Sequence, residues 1–261
     1  MYDLGVVWGK KSLGQVFLMN ESVAIAEAAH SYGKNVIEIG PGPGILTKEL
    51  CKHAKHVTAV EKDARMCALL RHNVKSEKLQ LIHKDFLETS DEELELGSVD
   101  IVIANIPYNL SSRIIGWLGE KNMQAVLCLQ KEFVDHMLAK PNTRSYSKLS
   151  VFTSLMFKVT KIMQVSKGNF KPMPKVDSVV IYIKPKGIGI DERELFIIGL
   201  MMQHKKKTVY NAILDSDSYL NMDRKVLGQL CSKISHRDER VFKQQPETLL
   251  EIARELKALL K

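Results

Sequence analysis

Through roughly the first 130 residues, short apolar runs closed by turn residues alternate with stretches of helical spacing. Asn35–Gly40 (NVIEIG) is a compact apolar run ending in Gly and Pro, so it reads as a buried strand entering a tight turn. Ile45–His53 follows with helical spacing, and the β-branched run His56–Glu61 (HVTAVE) predicts a second strand. Asp63 is placed to cap a helix over Ala64–Val74, since its carboxylate can accept from the first free backbone N–H groups. Leu79–His83 reads as strand three, Asp91–Leu96 as an acidic connection, and Val99–Ala104 (VDIVIA) as a strand apolar on both faces. A helix over Ser111–Gly119 and a strand at Gln124–Gln130 continue the alternation.

This order predicts an α/β fold, a parallel sheet with helices on both faces. Lys158–Val165 and Val176–Lys184 are two further β-rich runs expected to close the sheet as an antiparallel pair. Pro185-Lys186-Gly187-Ile188-Gly189 breaks the pattern, and Glu192–Lys261 shows only helical segments. The expected division is therefore a domain over 1–185 and a small helical domain over 186–261. At 261 residues, 45% hydrophobic and 26% charged, the chain is long and apolar enough to bury a real core. No apolar run approaches the ~20 residues needed to span a bilayer, and Met1-Tyr2-Asp3 lacks the flank of a secretory signal. Cys51, Cys67, Cys128 and Cys231 form no CxxC pair, which suits reduced thiols in a cytoplasmic protein. The eight histidines show no HxH, HxxxH or HExxH spacing, so no metal is expected.

Charge adds a candidate partner. The net charge is +8, and residues 136–176 hold Lys140, Arg144, Lys148, Lys158, Lys161, Lys167, Lys171 and Lys175 with no Asp or Glu. Lys205-Lys206-Lys207 form a second cluster. Such stripes suit a polyanion, nucleic acid above all, although a solvated basic face has the same composition.

The chemistry-bearing motifs sit where predicted strands end. Glu38-Ile-Gly40-Pro-Gly42-Pro-Gly44 follows strand one and opens a helix, so its backbone can approach a ligand. Glu61 ends the next strand, 19 residues after Gly42, where an acid can grip ribose hydroxyls. The third glycine comes one residue earlier than in the dinucleotide pattern, which points to another adenosine-bearing cofactor. Asp85-Phe86 follows strand three, where Asp can accept from an adenine amino group and Phe can pack on its ring. Asn105-Ile106-Pro107-Tyr108 follows strand four. The lone pair of a nucleobase amine is delocalised into its ring. Two acceptors, the Asn105 oxygen and a carbonyl at Ile106 or Pro107, would hold that nitrogen nearer tetrahedral geometry, while Tyr108 offers a stacking face. Trp8 and Trp117 read as packing residues, and no Ser-His-Asp or Cys-His arrangement emerges.

These motifs resemble those of the S-adenosylmethionine-dependent rRNA adenine N6-dimethyltransferases, the KsgA/Erm group, along nearly the whole chain. Lys11-Ser-Leu-Gly-Gln15-Val16-Phe17-Leu18 resembles the family's N-terminal cofactor motif, with Val16 where His or Asn is usual. Gln130-Lys131-Glu132 resembles its QKE, and Phe170-Lys-Pro172-Met-Pro174-Lys175-Val176 its FxPxPKV. Gln203–Val209 and Glu239–Phe242 look most like archaeal members that act on the small subunit. The resemblance implies a Rossmann-like class I methyltransferase sheet, with S-adenosylmethionine held by Gln15, Val16, Leu18, Gly40, Gly42, Gly44, Glu61, Lys62, Asp85, Phe86 and Asn105. It implies Asn105, Pro107, Tyr108 and Phe170 as the catalytic set, Phe170 closing over the target base opposite Tyr108. Lys140, Arg144, Lys148, Lys171, Lys175, Lys205, Lys206 and Lys207 are the expected RNA-binding residues. The implied partner is small-subunit rRNA or an immature small ribosomal subunit, met by a monomer during ribosome biogenesis. Three rivals remain: a large-subunit rRNA methyltransferase of the antibiotic-resistance type, a DNA adenine methyltransferase sharing the Asn-X-Pro-Tyr chemistry, and a non-catalytic assembly or transcription factor of the same fold.

Overall fold

The computed structural model describes residues 15–260. Lys11–Gly14 of the N-terminal motif and Trp8 lie outside them.

Seven strands form one sheet: β2 (Asn35–Ile39), β3 (His56–Glu61), β4 (Leu79–His83), β5 (Ile101–Asn105), β6 (Ala125–Gln130), β7 (Phe157–Val165) and β9 (Ser178–Pro185). Their order is β4-β3-β2-β5-β6-β9-β7. The pairs β2–β3, β3–β4, β2–β5 and β5–β6 are parallel, and β9 runs antiparallel to β6 with Gln130 opposite Ser178. The chain therefore builds outward from β2 to β4 and then returns to add β5 on the other side of β2. That reversal leaves a crevice at the carboxyl ends of β2 and β5, the place where open α/β sheets hold ligands. A separate two-stranded ribbon pairs β1 (Phe17–Leu18) with β8 (Phe170–Lys171), Leu18 opposite Phe170.

The strands form because both of their faces are covered. Ile101, Val102, Ile103 and Ala104 are each fully buried, as are Ala125, Val126, Leu127 and Leu129. Each larger aliphatic side chain among them is worth about 1.5–3 kcal/mol relative to exposure. Helices α1 (Glu21–Ala28), α2 (Ile45–His53), α3 (Ala64–Asn73) and α4 (Ser111–Glu120) supply the cover. Asp63 caps α3 as expected, accepting from the Arg65 backbone N–H at 3.0 Å. The strand, helix and turn order from Asn35 to Gln130 follows the sequence pattern within two residues at each boundary. Helix α1 has no counterpart among the elements expected from the pattern.

The domain boundary differs from expectation. One compact unit takes the described residues up to Val134 and Lys158–Pro185; the other takes Asp135–Phe157 together with the described residues from Lys186 onward. The break at Pro185 is present, but helix α5 (Lys131–Met137) leads out of the first unit and α6 (Lys148–Met156) belongs to the second. The reason is apolar: Tyr146, Val151 and Leu155 pack in one cluster with Ile197, Met201, Val209 and Leu249. Tyr146 is fully buried, and its hydroxyl donates to the Gln244 carbonyl at 3.1 Å. The rest of that unit is helical: α7 (Glu192–Gln203), α8 (Val209–Leu214), α9 (Asp217–Leu220), α10 (Arg224–Cys231) and α11 (Pro246–Leu259). Asp191 and Glu194 form a capping box at the start of α7, satisfying two N–H groups reciprocally. Among the described residues no helix is long and apolar enough to cross a membrane.

Candidate active site

The glycine loop lies at the switch point between β2 and β5. Gly40, Gly42 and Gly44 have φ of +65°, +55° and +97°, a left-handed path that L side chains enter at a cost. The Gly40 N–H donates to the Val60 carbonyl at 2.9 Å, which ties the loop to β3. A Cβ on Gly42 would stand 2.9 Å from the Phe17 ring, so the β1 segment lies directly over the loop. Val16, Phe17, Leu18, Glu38, Gly40, Pro41, Pro43, Ile45, Leu46 and Asn105 line one cavity. Val16 contributes there without a polar side chain.

The two acids expected to meet a ribose and an adenine are held differently. Glu61 is buried, and burial pushes its carboxyl above the usual range. One oxygen accepts from the Gly42 N–H at 3.2 Å and the other from the Asp63 N–H at 2.8 Å. The carboxylate thus joins the glycine loop to the β3 end. Asp85 pairs with Lys62 at 2.7 Å and accepts from the Leu87 N–H at 3.0 Å, which holds its carboxyl below the usual range. Phe86 is buried with its ring edge-on to Trp117, centroids 4.9 Å apart. Gln15 donates from Nε2 to Asp63 at 3.2 Å, so the start of the described chain is anchored beside Glu61.

Asn105 ends β5 and lines both cavities of the site. Its Nδ2 donates to Glu27 Oε2 at 3.0 Å, while its buried Oδ1 has no partner among the described residues. The second cavity is lined by Val16, Asn105, Ile106, Pro107, Tyr108, Cys128 and Phe170. The Tyr108 hydroxyl lies 3.1 Å from the Ser178 hydroxyl, and burial raises its phenol above the usual value. Phe170 is held at the cavity by the β8–β1 pairing. The carbonyl of Pro107 accepts from the Leu110 N–H at 2.9 Å.

The residues present fit an adenosine-bearing cofactor and an amine-bearing base. A glycine cradle that a Cβ would fill stands beside a cavity, and a buried carbonyl oxygen with no partner among the described residues belongs to a residue lining both cavities. A buried orphan acceptor costs ~1–3 kcal/mol unless a ligand donor fills it. The structure thus brings together Gln15, Val16, Leu18, Gly40, Gly42, Gly44, Glu61, Asn105, Pro107, Tyr108 and Phe170 around one crevice. Lys62, Asp85 and Phe86 stand at the β3 and β4 ends. Glu27 and Ser178, which hold Asn105 and Tyr108, are not marked by the sequence: neither belongs to a short motif that carries chemistry.

The basic candidates are distributed over the two units. Lys171 and Lys175 are exposed in the first; Lys140, Arg144, Lys148, Lys206 and Lys207 are exposed in the second. Lys205 is half-buried, its Nζ donating to the carbonyls of Arg144 at 3.2 Å and Tyr146 at 2.5 Å. Lys207 pairs with Asp215.

Comparison with known proteins gives a consistent result. A family model described as ribosomal RNA adenine dimethylase matches residues 7–257. The chain is 37% identical over 245 residues to a probable ribosomal RNA small subunit methyltransferase A of Pyrococcus abyssi, covering 92% of this chain and 89% of that protein. It is 36% identical over 226 residues to the ribosomal RNA small subunit methyltransferase A of Mycoplasmopsis pulmonis, covering 84% and 87%. Its fold is that of a dimethyladenosine transferase from Plasmodium falciparum, with a TM-score of 0.79 at 24% identity over 93% of this chain and 98% of that one.

Proposed function

The chain belongs to the ribosomal RNA adenine dimethylase family, and on that premise we propose that it transfers methyl groups from S-adenosylmethionine to N6 of adenines in small-subunit rRNA, two to each adenine, while the cytoplasmic subunit is being assembled. The observation that carries the reading is Asn105: a buried carbonyl oxygen without a partner among the described residues, on a side chain that lines one cavity with Tyr108 and Phe170 and the other with the glycine loop.

Gly40, Gly42 and Gly44 with Val16 and Leu18 would hold the methionine part of the cofactor, Glu61 the ribose, and Lys62, Asp85 and Phe86 the surroundings of the adenine. When bound, S-adenosylmethionine would supply a methyl group already activated by its sulfonium. The chain's own residues then have to present the nucleophile. Tyr108 and Phe170 receive an unstacked base between their rings. Asn105 Oδ1 accepts one N6 hydrogen. Because the Pro107 carbonyl is already engaged by Leu110, the Ile106 carbonyl is the better second acceptor. Two acceptors draw the amine toward tetrahedral geometry and stabilise the positive charge that grows on nitrogen as it is alkylated. No general base is required, since the proton can leave to water afterwards. The product amine is still a nucleophile, so the same pocket can act again.

The test is a labelling experiment. The protein is incubated with tritiated S-adenosylmethionine and, in parallel, immature small subunits, large-subunit RNA or DNA, the nucleic acid is digested, and the labelled nucleoside is identified. Labelled N6,N6-dimethyladenosine is expected. Label in large-subunit RNA, in DNA only, in another nucleoside, or nowhere would overturn the reading. Asn105→Ala should keep its fold and most of its cofactor affinity yet lose transfer by ~10²-fold or more, the scale of one acceptor or donor at a transition state.

A further inference from the structure

An asparagine side chain can present either end of its amide. Only one end serves here: the carbonyl oxygen accepts from an amine, whereas the NH2 end would set donors against donors and suits a base carbonyl instead. The two orientations are nearly equal in shape, so something outside Asn105 must choose between them.

We propose that Glu27 is the positioning residue that makes this choice, its Oε2 capturing Asn105 Nδ2 at 3.0 Å so that Oδ1 is the atom presented to the target amine. The proposal rests on the methyltransferase reading above. Glu27 sits in the last turn of α1 among Val23, Ala24 and Ala28, all buried, and is itself fully buried. Its Oε1 has no partner among the described residues. A carboxyl in that position is costly for a fold, which would be served better by an aliphatic side chain of similar volume. Burial drives its pKa up to about 8, against the pull of the Asn105 hydrogen bond. Such a group beside a site of chemistry is a candidate for function rather than stability. Glu27 acts through Asn105 and not on the substrate itself, and an oxygen of either a carboxylate or a carboxylic acid can accept the amide N–H. By fixing the acceptor end outward, it also favours the N6 amine of adenine over the O6 carbonyl of guanine.

The test uses the full chain with immature small subunits, and compares Glu27→Leu with Glu27→Gln. Leu removes the acceptor, while Gln keeps an oxygen in place at nearly constant volume. The expectation for Glu27→Leu is a kcat lowered about tenfold or more, with KM for the particle and cofactor affinity by calorimetry each within about twofold of wild type. Its melting temperature should not fall, because a desolvated carboxyl has been replaced by an apolar group. Glu27→Gln, whose oxygen can still accept from Asn105 Nδ2 but whose own amide can also turn its NH2 end inward, should recover part of the lost kcat. A Leu variant with wild-type kcat would overturn the proposal, as would a Gln variant no better than Leu. Loss of cofactor affinity or of melting temperature in step with kcat would show a structural role and overturn it too. A wild-type protein that transfers no methyl group to the particle would instead sink the methyltransferase reading itself, and this proposal with it.

Discussion

Glu27 and Glu38 are both buried acids whose pKa burial raises from the ordinary 4.5 to about 8. A carboxyl with a folded pKa above its unfolded one binds protons more readily when folded. Its favourable contribution is complete below the unfolded value and is lost as pH rises through the folded value. The melting temperature should therefore decline between about pH 5 and about pH 9, opposite to the loss expected at low pH from acids such as Asp85, whose pKa is lowered by Lys62. Glu27→Gln should flatten part of that decline in a calorimetric or fluorescence melt. An unchanged slope would mean that Glu27 does not gain its proton on folding. Asn105 and Tyr108 are legible in the sequence because a strand end followed by Asn-X-Pro-Tyr has a chemical meaning of its own. Glu27 is not: the run Glu-Ser-Val-Ala-Ile-Ala-Glu-Ala carries no pattern with a chemical meaning of its own, and only the fold turns Glu27 inward onto Asn105.

At the scale of elements, the glycine loop and the β1 segment are one device. Gly44 precedes α2, and a Cβ there would stand 2.6 Å from Leu70 Cδ1 and 2.9 Å from Val74 Cγ2, both buried in the packing of α3. Gly42 has Phe17 over it at 2.9 Å, whereas Gly33, with φ of +68°, has no described residue other than its chain neighbours within 4 Å of such a Cβ. The three therefore separate backbone strain from steric conflict. Gly33→Ala should cost about 1 kcal/mol for its left-handed backbone alone. Gly44→Ala adds overpacking and should cost about 2–4 kcal/mol. Gly42→Ala should be milder for stability than Gly44→Ala but should push Phe17 aside and weaken cofactor binding. Chemical denaturation and calorimetry measure the two effects separately; equal losses at Gly33 and Gly44 would remove the packing contribution. The loop itself is readable from strand, glycines and following helix. Its lid is not, because the β1–β8 pairing joins Phe17 to Lys171 across 154 positions of the chain (171 − 17), and no local pattern announces a two-residue ribbon.

For the whole molecule, the misplaced boundary has the same origin. Asp135–Phe157 belongs with the C-terminal helices through Tyr146, Val151 and Leu155, whose packing a pass along the chain cannot weigh. The basic residues divide accordingly, and their local bonds separate a lysine committed to the fold from those exposed at the surface. Lys205 commits its ammonium to the carbonyls of Arg144 and Tyr146, and Lys207 is paired with Asp215. Lys206, between them, is exposed. If the basic surface neutralises phosphates, log affinity for the RNA falls linearly with log salt, and the slope shrinks by ~0.7–0.9 for every phosphate that is no longer neutralised. Lys206→Ala should reduce the slope by about that single-phosphate step and leave the melting temperature unchanged. Lys205→Ala should do the reverse, lowering the melting temperature by depriving two carbonyls near a buried tyrosine of their donor while the slope stays close to wild type. Binding titrations at several salt concentrations, run beside thermal melts, test both. A slope lowered equally by the two variants would return Lys205 to the RNA-binding set, and an affinity independent of salt would mean that this surface does not meet its substrate through phosphates.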